Sequence, residues 1–162
     1  MIGSRAWLAG IALTGVGAVG AALVSQHFYG MQPCPWCVLQ RLIFLAISAA
    51  AVLALALGGW VRRVALVLLV LLTGCGAAAA LWQHFVSANS ASCNLTLADR
   101  IVGGMQLDAH WPEVFMATAS CADAKVDLFG LPYEAWSLAL FALMGAVAVR
   151  LLLPRHAPEL QG

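Results

Sequence analysis

Four apolar stretches, each long enough to cross a bilayer as a helix, constrain the fold of this chain more than any other feature. Spanning a hydrocarbon core of about 30 Å takes roughly 20 apolar residues in a helix. The stretches that meet this requirement are residues 7–24, 38–57, 64–85 and 136–153. The composition agrees, because 63% hydrophobic and 9% charged residues exclude an ordinary soluble domain. We therefore predict an all-α membrane protein in which residues 1–162 form a single domain, a four-transmembrane-helix bundle.

The charged residues divide unevenly between the two ends of such a bundle. One end contains both termini and the turn at 58–63. Its charged residues are five arginines and one acid, Arg5, Arg62, Arg63, Arg150, Arg155 and Glu159. The other end contains the loops 25–37 and 86–135, and the longer loop carries six acidic residues against two basic ones. Because short loops rich in Lys and Arg stay in the cytoplasm, we predict cytoplasmic termini and, in a bacterium, periplasmic loops.

The first span has an alternative interpretation as a cleaved signal peptide. Arg5 precedes its apolar run, and the run ends in small residues around Ala21 and Ala22. The apolar core is, however, longer than the roughly 7 to 15 residues of a signal-peptide core. Its loss would also leave three spans and disturb the charge distribution, so we interpret it as a retained helix.

Small residues are frequent in the first and third spans and predict close helix packing there. In lipid, such residues let two helix backbones approach each other. They are Gly10, Gly15, Gly17 and Gly20 in the first span and Gly74, Cys75, Gly76 and Ala77 to Ala80 in the third. We interpret Cys75 as a packing residue, because a thiol buried in hydrocarbon is poorly reactive.

The other four cysteines lie on the predicted outer side, where disulfides persist. Cys34 and Cys37 form a Cys-x-x-Cys motif at the start of the second span, and Pro35 between them suits the first turn of a helix. Cys37 would then lie near the positive end of that helix, which favours the reactive thiolate. With the separated pair Cys93 and Cys121, the motif can form two redox couples in series.

Three other uses of these cysteines are compatible with their number. A zinc site would take the same four ligands, but Cys93 and Cys121 provide no second close pair, so we predict no metal. A structural disulfide is an alternative for Cys93 and Cys121. It is less suited to Cys34 and Cys37, because short bridges of that kind are more often redox sites. Covalent haem attachment would need a histidine where Val38 stands.

Two ionisable residues lie at the depth of the motif. Arg41 follows Cys37 by four residues, so it projects from the same helical face about one turn into the membrane. A cation there is costly and usually functional, and it can stabilise a thiolate or negative charge on a reducible carbonyl ligand. The alternative is an arginine that snorkels to the headgroups. His84 lies near the outer end of the third span at a similar depth.

The long loop contains one helical pattern. Trp111, Val114, Phe115 and Thr118 recur at helical spacing around Pro112, a plausible first helical residue. We predict a short interfacial helix on the membrane surface. A helix packed on the loop's own small core is the alternative.

The residues 32–41, QPCPWCVLQR, resemble the first redox motif of the disulfide bond formation protein B family. The residues 82–84, 91–93, 119–123 and 127–131 follow in the family's order and at similar spacing. Gln40 departs from the pattern, because the best-known members have an acid before the arginine, and this changes the local charge around the cofactor.

The resemblance implies a bacterial inner-membrane thiol:quinone oxidoreductase that reoxidises a periplasmic DsbA-like dithiol oxidase and passes electrons to ubiquinone or menaquinone. By position, the partner attacks Cys93, and Cys121 is released to attack the inner pair at Cys34. Cys37 is then freed beside the quinone. The resemblance also assigns Cys37, Arg41 and His84 to the quinone site.

Two rival functions remain. A vitamin K epoxide reductase-like quinone reductase also combines a four-helix bundle with a Cys-x-x-Cys motif, but its motif is expected in the last core span. A non-enzymatic four-span scaffold stapled by disulfides would show no effect of quinone on its thiols.

Overall fold

The computed structural model describes residues 3–87, 96–124 and 126–153, and four long helices dominate it. The long helices are α1 (Ser4–Tyr29), α2 (Pro35–Ala56), α3 (Gly59–Phe85) and α7 (Tyr133–Leu152). Three short helices lie between α3 and α7, namely α4 (Leu97–Gly104), α5 (Leu107–His110) and α6 (Pro112–Phe115). Two short antiparallel strands, β1 (Asp127–Leu128) and β2 (Leu131–Pro132), precede α7.

The four long helices confirm the predicted fold class. Each is long and apolar enough to cross a membrane. They contain the predicted spans almost completely, although α2 and α7 each end one residue earlier than predicted. The turn predicted at 58–63 is wrong, because only Leu57 and Gly58 connect α2 to α3. Arg62 and Arg63 consequently lie within the first two turns of α3.

The helices follow each other up and down, so the cysteine motif and the small elements lie at one end. Extensive contacts join α1 to α2, α2 to α3 and α3 to α7, whereas α1 and α7 touch each other little. The bundle is therefore most open between α1 and α7. By this connectivity Arg5, Arg62, Arg63 and Arg150 lie at the end opposite the motif, and Arg155 and Glu159 lie outside the described residues.

Only some of the small residues pack between helices. Gly15 of α1 lies against the Phe44 carbonyl and Ser48, and Gly76 of α3 lies against the ring of Phe141. Cβ atoms added at Gly10, Gly17, Gly20 and Gly74 would meet open space. Cys75 is exposed, so its interpretation as a packing residue is wrong. Consecutive helical residues point in different directions, and a run of small residues therefore cannot all face one neighbour.

Substitution of Gly76 should destabilise the bundle. In Gly76→Val, the new side chain would overlap the Phe141 ring, and overpacking of this kind costs typically about 1–3 kcal/mol. Thermal unfolding in detergent should show a lower midpoint for Gly76→Val than for Gly74→Val, the matched control whose side chain meets open space. Equal midpoints for the two variants would contradict this packing.

The loop helix α6 starts at Pro112, as predicted, but it has only four residues. It ends before Thr118, because the backbone N–H of Thr118 donates to the Pro33 carbonyl rather than continuing the helix. Phe115 is buried in a small cluster with Val38 and Val102, while Trp111 is 60% exposed. Part of the apolar face is thus covered by the protein itself, and its position on a membrane surface stays a prediction.

Candidate functional site

The Cys-x-x-Cys motif forms the N-terminus of α2, as its prolines predict. Pro35 is the first residue of the helix and Cys34 is its N-cap. The Cys34 sulfur accepts a hydrogen bond from the backbone N–H of Cys37 at 3.2 Å, which satisfies one of the unpaired amides of the first turn. Cys34 is fully buried and Cys37 half-buried.

Backbone hydrogen bonds bring the long loop to this helix end. The N–H groups of Thr118 and Ala119 both donate to the Pro33 carbonyl, at 3.0 and 3.3 Å. The Thr118 hydroxyl also donates to the side-chain oxygen of Gln32. The chain then enters a turn that begins at Cys121. This attachment places Cys121 beside Cys34, although the two residues are far apart in sequence.

Three thiols meet at the start of α2. Cys34 hydrogen-bonds to both Cys37 and Cys121, and the backbone N–H of Trp36 donates to the Cys121 sulfur. Donation of the Cys34 proton lowers the pKa of Cys121, and the same interaction raises the pKa of Cys34. Cys121 is therefore the better nucleophile of the two, since thiolate is the attacking form. Cys93 lies outside the described residues.

The shift at Cys121 predicts a pH profile. Because its pKa is lowered, the thiolate persists to lower pH than in an ordinary cysteine, and alkylation of Cys121 in the reduced protein should stay fast at lower pH. Cys34→Ala removes the donor and should move this profile to higher pH, whereas Cys75→Ala should leave it unchanged. Alkylation read by mass spectrometry checks both variants. A Cys121 profile that does not respond to Cys34→Ala would contradict the assigned hydrogen bond.

A cavity of about 250 Å³ opens next to Cys37. Small residues of α1, among them Ala18, Ala21 and Ala22, form one wall, and residues of α7 form another. Most of the lining is apolar. Its polar groups include Cys37, Gln40, Arg41, Gln83 and Glu134. An apolar cleft with a few convergent polar groups is the usual form of a small-molecule site.

Arg41 is held inside the protein. The residue is 5% exposed, and its Nη1 donates to the Gln26 side chain at 2.8 Å and to the Val114 carbonyl at 2.9 Å. Its Nη2 donates to the Ala22 carbonyl at 3.5 Å. Its Nε is buried and has no partner among the described residues. The guanidinium thus ends on protein acceptors rather than extending to headgroups, and its one unpartnered N–H belongs to a residue that lines the cavity.

His84 is not among the residues that line the cavity. Its Nδ1 lies 2.9 Å from Oε1 of Glu134, a buried residue in the first turn of α7. Glu134 does line the cavity, so His84 contacts the site through this carboxyl group. Sequence reasoning counted Glu134 only as one of the loop's acids. Its position directly before an apolar span was the available signal.

Two glutamines were also missed as site residues. Gln40 donates from Nε2 to Oε1 of Gln83 at 2.8 Å, and Gln83 donates from Nε2 to the Cys37 sulfur at 3.4 Å. Gln83 belongs to the sequence that supported the family resemblance, yet helical spacing alone does not show which residue of α3 faces α2. The one sequence feature that could have identified this pair as site residues is Gln40, which stands where the best-known family members have an acid.

The zinc alternative would use the same four cysteines. Within 3–87, 96–124 and 126–153, no group of three or more His, Cys, Asp or Glu residues is arranged to hold a metal ion. Cys34, Cys37 and Cys121 hydrogen-bond to one another and to amide groups, and Cys93, the fourth ligand of that alternative, lies outside the described residues.

Four helices that can cross a membrane, with a thiol cluster and a cavity at one end, define a membrane protein of thiol–disulfide chemistry. The family model described as "Disulfide bond formation protein DsbB" matches residues 4–151. The chain therefore belongs to the DsbB family, as its motifs indicated.

Three relatives, each named "Disulfide bond formation protein B", are similar over almost their whole length. The Cupriavidus necator protein is 36% identical over 151 residues, 92% of this chain and 93% of that protein. The Aromatoleum aromaticum protein is 30% identical over 155 residues, 92% of each chain. The Ralstonia nicotianae protein is 31% identical over 161 residues, 94% of this chain and 96% of that protein. Together with the four helices, these matches indicate a bacterial multi-pass membrane protein with a general role in disulfide formation.

Proposed function

We propose that this protein is a thiol:quinone oxidoreductase that reoxidises a periplasmic DsbA-type dithiol oxidase and passes the electrons to a membrane quinone. The observation that carries the proposal is the position of Cys34, whose thiol hydrogen-bonds to Cys121 on one side and to Cys37 on the other. Thiol–disulfide exchange needs an attacking sulfur next to the sulfur it attacks. Cys34 meets that need for transfer between the loop and the helix.

The proposed sequence of bonds conserves electrons at every step. The partner's thiolate attacks Cys93, which breaks the bond between Cys93 and Cys121 and releases Cys121 as a thiolate. Cys121 then attacks Cys34, so the bond between Cys34 and Cys37 breaks and its electron pair leaves on Cys37. The partner's second thiol then attacks the mixed disulfide, which closes the partner's own disulfide and releases Cys93. Cys93 attacks Cys121, so the bond between Cys34 and Cys121 breaks, the bond between Cys93 and Cys121 is restored, and Cys34 and Cys37 are left as a dithiol. A quinone held next to Cys37 and Arg41 would supply the oxidising power for the last step, in which the Cys34–Cys37 bond returns and the two electrons and two protons of the dithiol leave the protein.

The residues of the cavity fit a quinone. Its volume of about 250 Å³ is slightly below the roughly 300–1,000 Å³ of drug-sized sites, which suits a quinone head group of one or two rings with its tail outside. Cys37 lies in the wall, and the unpartnered Nε of Arg41 offers a donor for a ring carbonyl. The open side between α1 and α7 gives a lipid-soluble molecule access from the bilayer. Ubiquinone and menaquinone both meet these conditions.

The energetics require such an acceptor. DsbA is a strong oxidant at about −120 mV, and glutathione pools are far more reducing. A quinone with a higher potential can draw electrons from it, since for a two-electron couple about 30 mV corresponds to about 1.4 kcal/mol.

The proposed location is the bacterial inner membrane, with both termini in the cytoplasm and the redox cysteines in the periplasm. The arginine-rich end formed by Arg5, Arg62, Arg63 and Arg150 supports this orientation. Labelling of intact cells with a membrane-impermeant thiol reagent tests it. Thiols that react only after the inner membrane is opened would reverse the orientation.

The decisive experiment is incubation of the reduced, purified protein with ubiquinone-1 while quinone absorbance is followed. We expect one quinone reduced for each disulfide formed, and no reduction would favour the disulfide-stapled scaffold. The vitamin K epoxide reductase-like alternative is weaker, because Cys34 and Cys37 open α2 rather than the last long helix.

A further inference from the structure

The two glutamines at the cavity form a buried chain of hydrogen bonds that ends on a sulfur. Gln40 is 4% exposed and Gln83 is 6% exposed. The 2.8 Å bond between them joins α2 to α3, and the 3.4 Å bond from Gln83 to the Cys37 sulfur returns to α2. Buried polar groups are costly unless they are paired, so a chain of this kind holds its members in fixed positions.

The direction of the chain determines what Cys37 receives. A glutamine amide has an oxygen that only accepts and an NH₂ group that only donates. Because the NH₂ group of Gln40 donates to the oxygen of Gln83, the NH₂ group of Gln83 is left to face the sulfur. Gln40 thus sets the orientation of the Gln83 amide, and only Gln83 donates a hydrogen bond to the Cys37 sulfur.

A donor on the sulfur favours the thiolate over the thiol, because hydrogen bonds to a charged acceptor are roughly twice as strong as neutral ones. The amide pair also adds no charge. A carboxylate in the place of either glutamine would offer oxygens instead of donors and would repel the thiolate. Neutral amides at both positions therefore suit a site where negative charge appears on Cys37.

We propose that Gln83, oriented by Gln40, is a positioning residue that stabilises the Cys37 thiolate beside the cavity. This inference rests on the proposed function and assigns a role to the departure at Gln40. In the exchange step, the electron pair of the broken Cys34–Cys37 bond leaves on Cys37, and the Gln83 N–H donates to that sulfur as its charge develops.

The test uses the reduced, quinone-free protein and measures the alkylation rate of Cys37 at pH 7 by fragment mass spectrometry. Gln83→Met keeps the length of the side chain and removes the donor, and we expect the rate to fall about tenfold. Gln40→Met should lower the rate by less, about threefold. Thr73→Val, which removes a buried hydrogen bond elsewhere in α3, should leave the rate unchanged.

The double variant Gln40→Met/Gln83→Met shows whether Gln40 affects the alkylation rate of Cys37 through Gln83 or independently of it. Because Gln40 acts through Gln83, the double variant should be no slower than Gln83→Met alone. The proposal would be overturned if the rate reductions of the two single variants multiplied in the double variant. An unchanged alkylation rate in Gln83→Met would also overturn it. Should Gln83→Met fail to fold, Gln83→Glu provides the second test. Its rate should fall at least as far, and a rate equal to that of the unchanged protein would also refute the role.

The inference and the proposed function can fail separately. Reduction of ubiquinone-1 by the unchanged protein, together with an unaffected Cys37 rate in Gln83→Met, would remove the inference and leave the function. Slower alkylation in Gln83→Met, with no quinone reduction by the unchanged protein, would remove the function and leave the thiolate contact.

Discussion

Cys93→Ala should abolish capture of the dithiol oxidase partner, whereas Cys37→Ala should leave capture intact and stop quinone-dependent turnover. In the proposed scheme the partner's thiolate attacks Cys93, so no mixed disulfide can form without it. Cys37 acts last, next to the cavity, and its hydrogen bonds run to Cys34 and Gln83. Capture is measured on non-reducing gels with a partner whose second cysteine is alanine, and turnover by ubiquinone-1 absorbance.

Cys75→Ala is the matched control for both assays. This cysteine is exposed on α3 and takes no part in the thiol cluster, so capture and turnover should match the unchanged protein. Equal trapping of the partner by Cys93→Ala and Cys37→Ala would contradict the division of roles. Turnover that survives in Cys37→Ala would show that electrons leave by another sulfur.

Arg41→His should raise the KM for ubiquinone-1 about tenfold or more. The guanidinium bonds to Gln26, Val114 and Ala22 and has one further N–H donor without a partner among the described residues. An imidazole cannot make the same set of bonds. A hydrogen bond to a charged group contributes roughly 1.5–3 kcal/mol, which corresponds to at least a tenfold change in affinity. Steady-state kinetics at varied quinone concentration measure the effect.

Two controls separate quinone binding from general damage in Arg41→His. Arg100→Gln changes an exposed arginine of α4 and should leave the KM unchanged. Capture of the partner at Cys93 should also remain normal in Arg41→His, because that step precedes the quinone. An unaltered apparent affinity for quinone would contradict a role for Arg41 in quinone binding and leave its bonds to Gln26, Val114 and Ala22 with a structural role alone.

Local sequence determines much of this fold, and those features could be predicted. The length of an apolar run limits where a spanning helix starts and ends, and Pro35 marks the first turn of α2 because its ring fits there and its missing N–H costs nothing. The wrong predictions concern features that depend on which neighbouring helix a residue contacts. Gly76 packs and Gly74 does not, a difference that depends on which face of α3 meets α7.

The site required tertiary information that motifs do not contain. Spacing alone gave the pairs Cys34 with Cys37 and Cys93 with Cys121. The contact of Cys121 with Cys34 depends on the Pro33 carbonyl accepting two N–H groups of a distant loop. Glu134 and Gln83 come from different helices and converge only in the packed bundle. The resemblance supplied the Cys-x-x-Cys chemistry, but it did not identify Gln83, which donates to the Cys37 sulfur, or Gln40, which donates to Gln83.

The attachment of Thr118 and Ala119 to Pro33 has a kinetic consequence. In the proposed exchange it would make Cys121 an intramolecular reactant toward Cys34, and well-oriented groups of this kind reach effective molarities on the order of 10⁵ M or more. Small thiols diffusing in the surroundings are present at far lower concentration, and Cys34 is fully buried from them. Internal exchange would therefore outrun such competitors and proceed at a rate that does not depend on how densely the membrane is populated with the enzyme.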